Sequence, residues 1–167
     1  IQVQQIINSI RNTSMYNSIH IQNCNFAIGV NFFRNLEHVK AISIRNVSSK
    51  VLPILGLLLQ DFYQLESLSI DFCFCHFWDI ITFLQIINKS KIIALQLNSI
   101  FPQLKKNEID ILLQILSEFH NIRILDWSGN LMNTTILSNF ANFKYLESLT
   151  LTTDFLYLSA PVNVVLT

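Results

Sequence analysis

Glycine and proline are scarce, three of each in 167 residues, and charged side chains make up only 13% of the chain. So few turn-formers leave no linker-like stretch, and Gly29, Gly56 and Gly129 cannot build a glycine-rich phosphate cradle. Eleven basic and eleven acidic residues, scattered singly, cancel. They leave no electrostatic footprint for nucleic acid or an anionic membrane. The longest apolar run, Val51 to Leu59, contains Pro53 and falls far short of the roughly 20 residues that span a bilayer. Cys24, Cys73 and Cys75 are an odd, sparse set. That argues against a disulfide framework and for a reducing compartment, so an intracellular, cytoplasmic protein is expected. Glycosylation sequons begin at Asn12, Asn46, Asn88 and Asn133, a number that richness in Asn, Ser and Thr supplies by composition. Neither G-x-S-x-G, a Walker loop, a dinucleotide fingerprint nor H-E-x-x-H occurs, so neither catalysis nor a cofactor is indicated.

What the chain does have is periodicity within its 51% of hydrophobic residues. Residues 64–70 read QLESLSI and residues 145–151 read YLESLTL, a near-copy displaced by 81 residues, or three times 27. Self-similarity at this spacing marks a stacked-repeat architecture. The spacing L-x-x-L-x-L appears at Tyr16, Val39, Leu65, Ile92, Ile122 and Leu146, at intervals of 23 to 30 residues. Six residues before each start stands another apolar side chain: Ile10, Phe33, Leu59, Ile86, Leu116 and Phe140. Three before it stand Leu36, Phe62, Phe119 and Phe143, with Thr13 and Lys89 as exceptions.

Between these strand candidates the apolar period changes from 2 to about 3.6, the signature of amphipathic helices. One helix is expected from an Asn107 N-cap through Ile109, Leu112, Leu113, Leu116 and Phe119, with Glu108 and Asp110 in its first turn. Asn133 is expected to cap a second, carrying Ile136, Leu137 and Phe140. Ser49 should cap a third, in which Pro53 falls in the first turn, where a missing N–H does least harm. Residues 26–35 and 78–89 fill the two remaining slots, and residues 2–11 form a helix with no strand before it. Strands about 4.8 Å apart sharing a stack with helices about 10 Å across must bend the array, sheet inside and helices outside. The expectation is a single α/β domain over residues 1–167, a right-handed horseshoe with a parallel concave sheet and convex helices.

A strand of this form followed by Asn or Cys, in repeats of 23 to 30 residues, resembles the leucine-rich repeat family, in its ribonuclease-inhibitor-like or cysteine-containing subclasses. The resemblance covers about Tyr16 to Asp154. It implies that Cys24, Cys73 and Asn130 satisfy backbone groups in the turn beyond their strands. Val47 and Ile100 stand at two equivalent positions and Asp154 at a third, so those turns are expected to be built differently. The resemblance further implies a non-enzymatic protein-interaction scaffold. As alternatives it implies the substrate-recognition arm of an F-box type ubiquitin-ligase component, or a GTPase-activating or other enzyme on the same fold.

The residues offer little chemistry against that expectation. In FCFCHFW, Cys73, Cys75 and His76 are zinc-ligand types, but the spacing is tight, a fourth ligand is not evident, and Cys73 already has its place as a turn residue. No local motif pairs a cysteine with His20, His38, His76 or His120 as a nucleophile and base. Trp127 occupies an inward position and is expected to pack in the core. Phe77 and Trp78 are expected as core or capping contacts.

The third, fifth and seventh residues of each unit should point away from the core and form a surface for a partner protein. Its candidate contact residues are His20, Gln22, Ser43, Arg45, Ser69, Asp71, Gln96, Asn98, Asp126, Ser128, Thr150 and Thr152. Ser18, Ala41, Ser67, Ala94, Ile124 and Ser148 complete the face, which is small and polar and lacks aromatic anchors. At the ends, Val3, Ile6 and Ile7 and the apolar stretch at 155–167 lack polar caps. With Ile1 rather than Met in first place, this predicts a piece of a longer array whose further repeats, or another subunit, cover both faces.

Overall fold

The structure, a computed structural model, describes residues 17–23, Leu36, residues 38–71, Cys73, residues 75–152 and the backbone of Val162–Val165. Expectations resting on Tyr16, Cys24 and Asp154, and on the helical segments 2–11 and 26–35, lie outside the described residues.

Six strands follow one another in chain order and in space: β1 (Ser18–Gln22), β2 (Ala41–Arg45), β3 (Ser67–Asp71), β4 (Ala94–Asn98), β5 (Ile124–Asp126) and β6 (Ser148–Leu151). All five pairings among them are parallel and unslipped. Just before the strands a second ladder begins. The N–H groups of Lys40 and Ala41 both donate to the Asn17 carbonyl, and the same forked bond recurs from Glu66 and Ser67 to Lys40. It continues from Ile93 and Ala94 to Glu66, from Arg123 and Ile124 to Ile93, and from Glu147 and Ser148 to Arg123.

Register is decided by which side chains can be buried, because a one-residue slip would turn each apolar set to water. Ile19, Ile42, Leu68, Leu95, Leu125 and Leu149 align as one inward column, and Ile21, Ile44, Ile70 and Leu97 as another. The leading residues Val39, Leu65, Ile92 and Ile122 are buried, and Leu146 is partly so.

Four helices cover that inward face among the described residues: α1 (Leu52–Leu59), α2 (Phe77–Ile86), α3 (Lys106–Leu116) and α4 (Thr134–Phe140). Leu52, Leu55 and Leu59 of α1, Ile80, Phe83 and Leu84 of α2, and Leu112 and Leu116 of α3 join the strand columns in one core. Gly56 sets how closely α1 and α2 approach, because a Cβ there would stand 3.3 Å from the Phe83 backbone. Lys89 fills the place that Phe62 and Phe119 hold in other units. Its ammonium lies 5.8 Å from the Phe119 ring centre and 3.2 Å from Glu118, so the stem packs while the charge stays paired.

Helix starts depart from expectation in two places. Asn133 does cap α4, its Oδ1 accepting from Ile136 N at 2.9 Å. α3, however, begins at Lys106, because the Glu108 carboxylate reaches back to Lys105 N at 2.8 Å and closes the first turn two residues before Asn107. α1 begins after Val51, with Pro53 in its first turn, and Ser49 instead accepts a bond from His76 N at 2.9 Å, tying two neighbouring units together. Trp127 is buried, its indole N–H donating to Leu131 O, and stacks on Phe101 at 5.6 Å. Trp78 is 55% exposed rather than buried, standing at the first turn of α2 with its ring edge-on to Phe77.

Among the described residues, the chain leaving β1, β2, β4 and β5 passes through a residue of positive φ: Asn23 (56°), Asn46 (50°), Ser99 (53°) and Gly129 (68°). Three of the four are Asn or Gly, the types that tolerate this conformation best. The next residue in the described units, Val47, Cys73, Ile100 and Asn130, is buried, and here apolar and polar types alternate. Asn130, 1% exposed, accepts from Ile100 N and Phe101 N and donates to Leu97 O and Trp127 O. It thus serves the turn of the preceding unit, where Ile100 itself is apolar. Cys73 donates to Ile44 O and Cys75 to Val47 O, serving in the same way the turn where Val47 is apolar. Val47 and Ile100 therefore need no polar atom of their own, which explains the irregular column.

A seventh strand, β7 (Val162–Val165), pairs antiparallel with β6. The chain between Leu151 and Val162 is shorter than the dozen or more residues a parallel crossover needs, so it can only turn back along β6.

Leu68→Asp and Leu95→Asp place a carboxylate in fully buried columns and should each cost several kcal/mol, enough to unfold the chain by circular dichroism. Ser69→Asp, on the opposite face, should keep a cooperative melt close to that of the parent. Equal losses in both sets would reverse the inward and outward assignment. Asn130→Ala strips the partners of two N–H groups and two carbonyls in a buried turn, and should cost about 2–4 kcal/mol in chemical denaturation. Loss of the Asn133 cap by Asn133→Ala should cost only about 1 kcal/mol.

Candidate functional site: the open face of the sheet

Strand side chains alternate, so the residues between the buried columns stand on the face opposite the described helices. The parallel register gathers them into rows across the sheet. His20, Ser43, Ser69, Gln96, Asp126 and Thr150 form one row, and Gln22, Arg45, Asp71 and Asn98 another. Ser128 and Thr152 lie just past the ends of β5 and β6, where their carbonyls accept from Ser99 N and Gly129 N and prolong the ladder. The structure thus brings all twelve sequence-derived candidates to one side of the sheet. Ser18, Ala41, Ser67, Ala94, Ile124 and Ser148 make the first row, with Ile124 exposed.

Charge on this face is local. Arg45 meets Asp71 at 3.3 Å. Asp126 is held by its own turn, because Ser128 donates to Asp126 Oδ1 from both its backbone N–H and its hydroxyl. Asn98 Oδ1 is shielded from solvent with no hydrogen-bond partner among the described residues. Burial pushes the Asp71 carboxyl above its ordinary range, Arg45 pulls against the shift and Asp126 adds to it. The first effect outweighs the second because a guanidinium open to water is a weak counter-charge for a carboxylate set into the sheet.

The thiols lie on the helix side of the turns and bond backbone carbonyls. Hydrogen bonding with Cys73 first, and burial second, push the Cys75 thiol up. Among the described residues no three His, Cys, Asp or Glu side chains gather as metal ligands, and no helix is long and apolar enough to cross a membrane. A cleft of about 300 Å³ opens between α3 and the return loop after α4, floored by Leu113, Leu116, Phe119 and Phe143 and rimmed by His120 and Lys144. It is separate from the rows on the sheet.

The second residue of each unit forms a further column, along the edge where chains enter the strands. Its sequence signal is alternating charge, and the structure pairs Lys40 with Glu66 and Arg123 with Glu147, each at 2.9 Å. Ile93 breaks that ladder at its centre.

For Asp71 the sign of the pH effect follows from the raised carboxyl. A fold that prefers the protonated form has that contribution in full below the ordinary value of 3.8, and loses it as pH rises through the folded value. Asp71→Asn should therefore melt higher than the parent at pH 7, with the gap closing as pH falls toward about 3.8. Melting curves of both proteins between pH 3 and pH 7 would read this, and a gap that widens on acidification would show a carboxyl stabilised by Arg45 instead.

No protein-family model matches the chain, and neither curated proteins nor solved structures yield a match, so the geometry of the chain itself carries what can be said of its function.

Proposed function

We propose that the chain is a leucine-rich repeat solenoid acting as a non-enzymatic scaffold, which binds a partner protein on the open, concave face of its sheet. Strands in chain order, a helix-bearing face opposite a bare one, and turn residues that satisfy neighbouring units all support the solenoid reading. The observation that carries the binding reading is the row His20, Ser43, Ser69, Gln96, Asp126 and Thr150. It is a polar, in-register strip on a rigid sheet, built of short side chains that lose little entropy when covered. A packed core ties the strip down from behind, so docking needs no rearrangement of the backbone. The absence of aromatic anchors in the strip points to affinity from many small contacts and shape rather than from one deep pocket.

Affinity capture with the full chain, followed by mass spectrometry, tests this against a doubly substituted Ser69→Arg/Gln96→Arg protein whose melting temperature is unchanged. The two arginines should remove the specific partner by filling the strip, while Asp110→Lys on the outer side of α3 should retain it. A partner retained by the double variant would place the binding surface elsewhere.

A further inference from the structure

The edge of the sheet where chains enter the strands carries what the open face lacks. Tyr63 (58%) and Tyr145 (46%) are exposed there, with Ile93 between them in the sequence of units. An open trough of about 520 Å³ runs along this edge across four units, with Ile93 in its lining, Tyr145 at one end, and Lys91, Arg123, Asn121 and Glu66 around it. Trough and ladder coincide at Ile93. Glu66 is engaged by Lys40 on one side and Arg123 by Glu147 on the other, so both ion pairs face away from the gap that Ile93 leaves.

Beyond these pairs the edge carries Lys91 in the trough lining and Lys144 beside Tyr145, while Asp61, outside the trough lining, accepts from the Tyr63 hydroxyl. Lys91 bonds the neutral amide of Gln64 at 2.9 Å, and the Lys144 ammonium lies 5.1 Å from the Tyr145 ring centre. Neither has an acidic partner among the described ion pairs, so the edge keeps two uncompensated cations beside an exposed tyrosine and an exposed isoleucine. Aromatic and apolar contacts ringed by same-sign charge are the composition of a protein-binding patch. The openness of the trough fits an extended segment better than an enclosed small molecule.

We propose that this edge is a second interaction surface, separate from the concave face, which docks an acidic segment of a partner protein. One apolar side chain of the segment sits on Ile93 and Tyr145, and its carboxylates face Lys91, Lys144 and the outer N–H groups of Arg123. Glu66 does not repel the segment, because Lys40 already balances it. The Asn121 amide, which donates to Ser90 O at 2.7 Å, braces the wall between two of the return loops.

Fluorescence anisotropy with the full chain and a labelled nonapeptide, eight glutamates around one central leucine, tests the proposal. The peptide should bind saturably and in a salt-dependent manner, and its lysine counterpart should not. Lys91→Glu/Lys144→Glu should weaken binding by about tenfold, as expected when two rim attractions become repulsions. Ile93→Asn should weaken it several-fold without changing the salt slope. Lys105→Glu/Lys106→Glu, at the start of α3 by the other ends of the strands, should leave binding within about twofold of the parent. No saturation at about 1 mM peptide, equal loss from the two double reversals, or equally tight binding of a single-stranded oligonucleotide would each overturn the proposal. Because Ser69→Arg/Gln96→Arg leaves this edge intact, it should not alter peptide binding, and the two surfaces stand or fall separately.

Discussion

The structure depends on what happens to backbone polar groups just beyond each strand. Within a parallel ladder they bond the neighbouring chain, but the turn that leads inward to the helices buries N–H and C=O groups with no ladder to meet them. A single buried amide, Asn130, takes two N–H groups and two carbonyls spread over two consecutive units. Cys73 and Cys75 do a weaker version of the same work for the turn at Val47. Because each such residue serves a neighbour as well as itself, only alternate units need one. Ile100 and Val47 are then free to be apolar and add to the core. The bond that closes one unit belongs to the next, so a unit cannot be completed without its neighbour.

That dependence also explains the unslipped register. With the described turns pinned to those beside them, strands stay aligned even where β5 shortens to three residues. Side chains at equivalent positions then repeat at a strand spacing of about 4.8 Å. Inward columns become a continuous apolar core. Outward columns become rows whose chemistry is decided one residue per unit. On the open face those residues are small and polar, and the few charges are bound up locally, Arg45 with Asp71 and Asp126 with Ser128.

Much of this was legible in the sequence because burial imposes a period, and the period survives even where residue types drift. The inward positions from Val39 to Leu149 and the outward rows follow from alternation alone. What escaped was set by particular polar and packing contacts, some local and some between units, rather than by hydrophobic period. Glu108 reached Lys105 and moved the start of α3, Ser49 was drawn to His76 instead of capping α1, and Trp78 was left outside by a helix turned to bury Ile80 and Phe83. The positive-φ column was within reach, since Asn23, Asn46, Ser99 and Gly129 fall at one position of four of the units. Its signal lies in conformational tolerance rather than hydrophobicity, and a search for apolar period passes over it. The reversal of β7 goes with the short connection between Leu151 and Val162 rather than with hydrophobic pattern.

The entering edge differs from the open face for a physical reason. A residue in the middle of a strand is flanked by neighbours on both sides, so large side chains there would crowd the rows. A return loop has no such constraint, and tyrosine, lysine and arginine can spread outward from it. The forked bonds to the carbonyls of Lys40, Glu66, Ile93 and Arg123 nevertheless fix the backbone at this edge as firmly as within the sheet. Large, amphipathic side chains on a fixed backbone lose little freedom beyond their own rotamers when a partner covers them. The architecture thus places its large side chains where there is room for them, and its small polar ones where there is not.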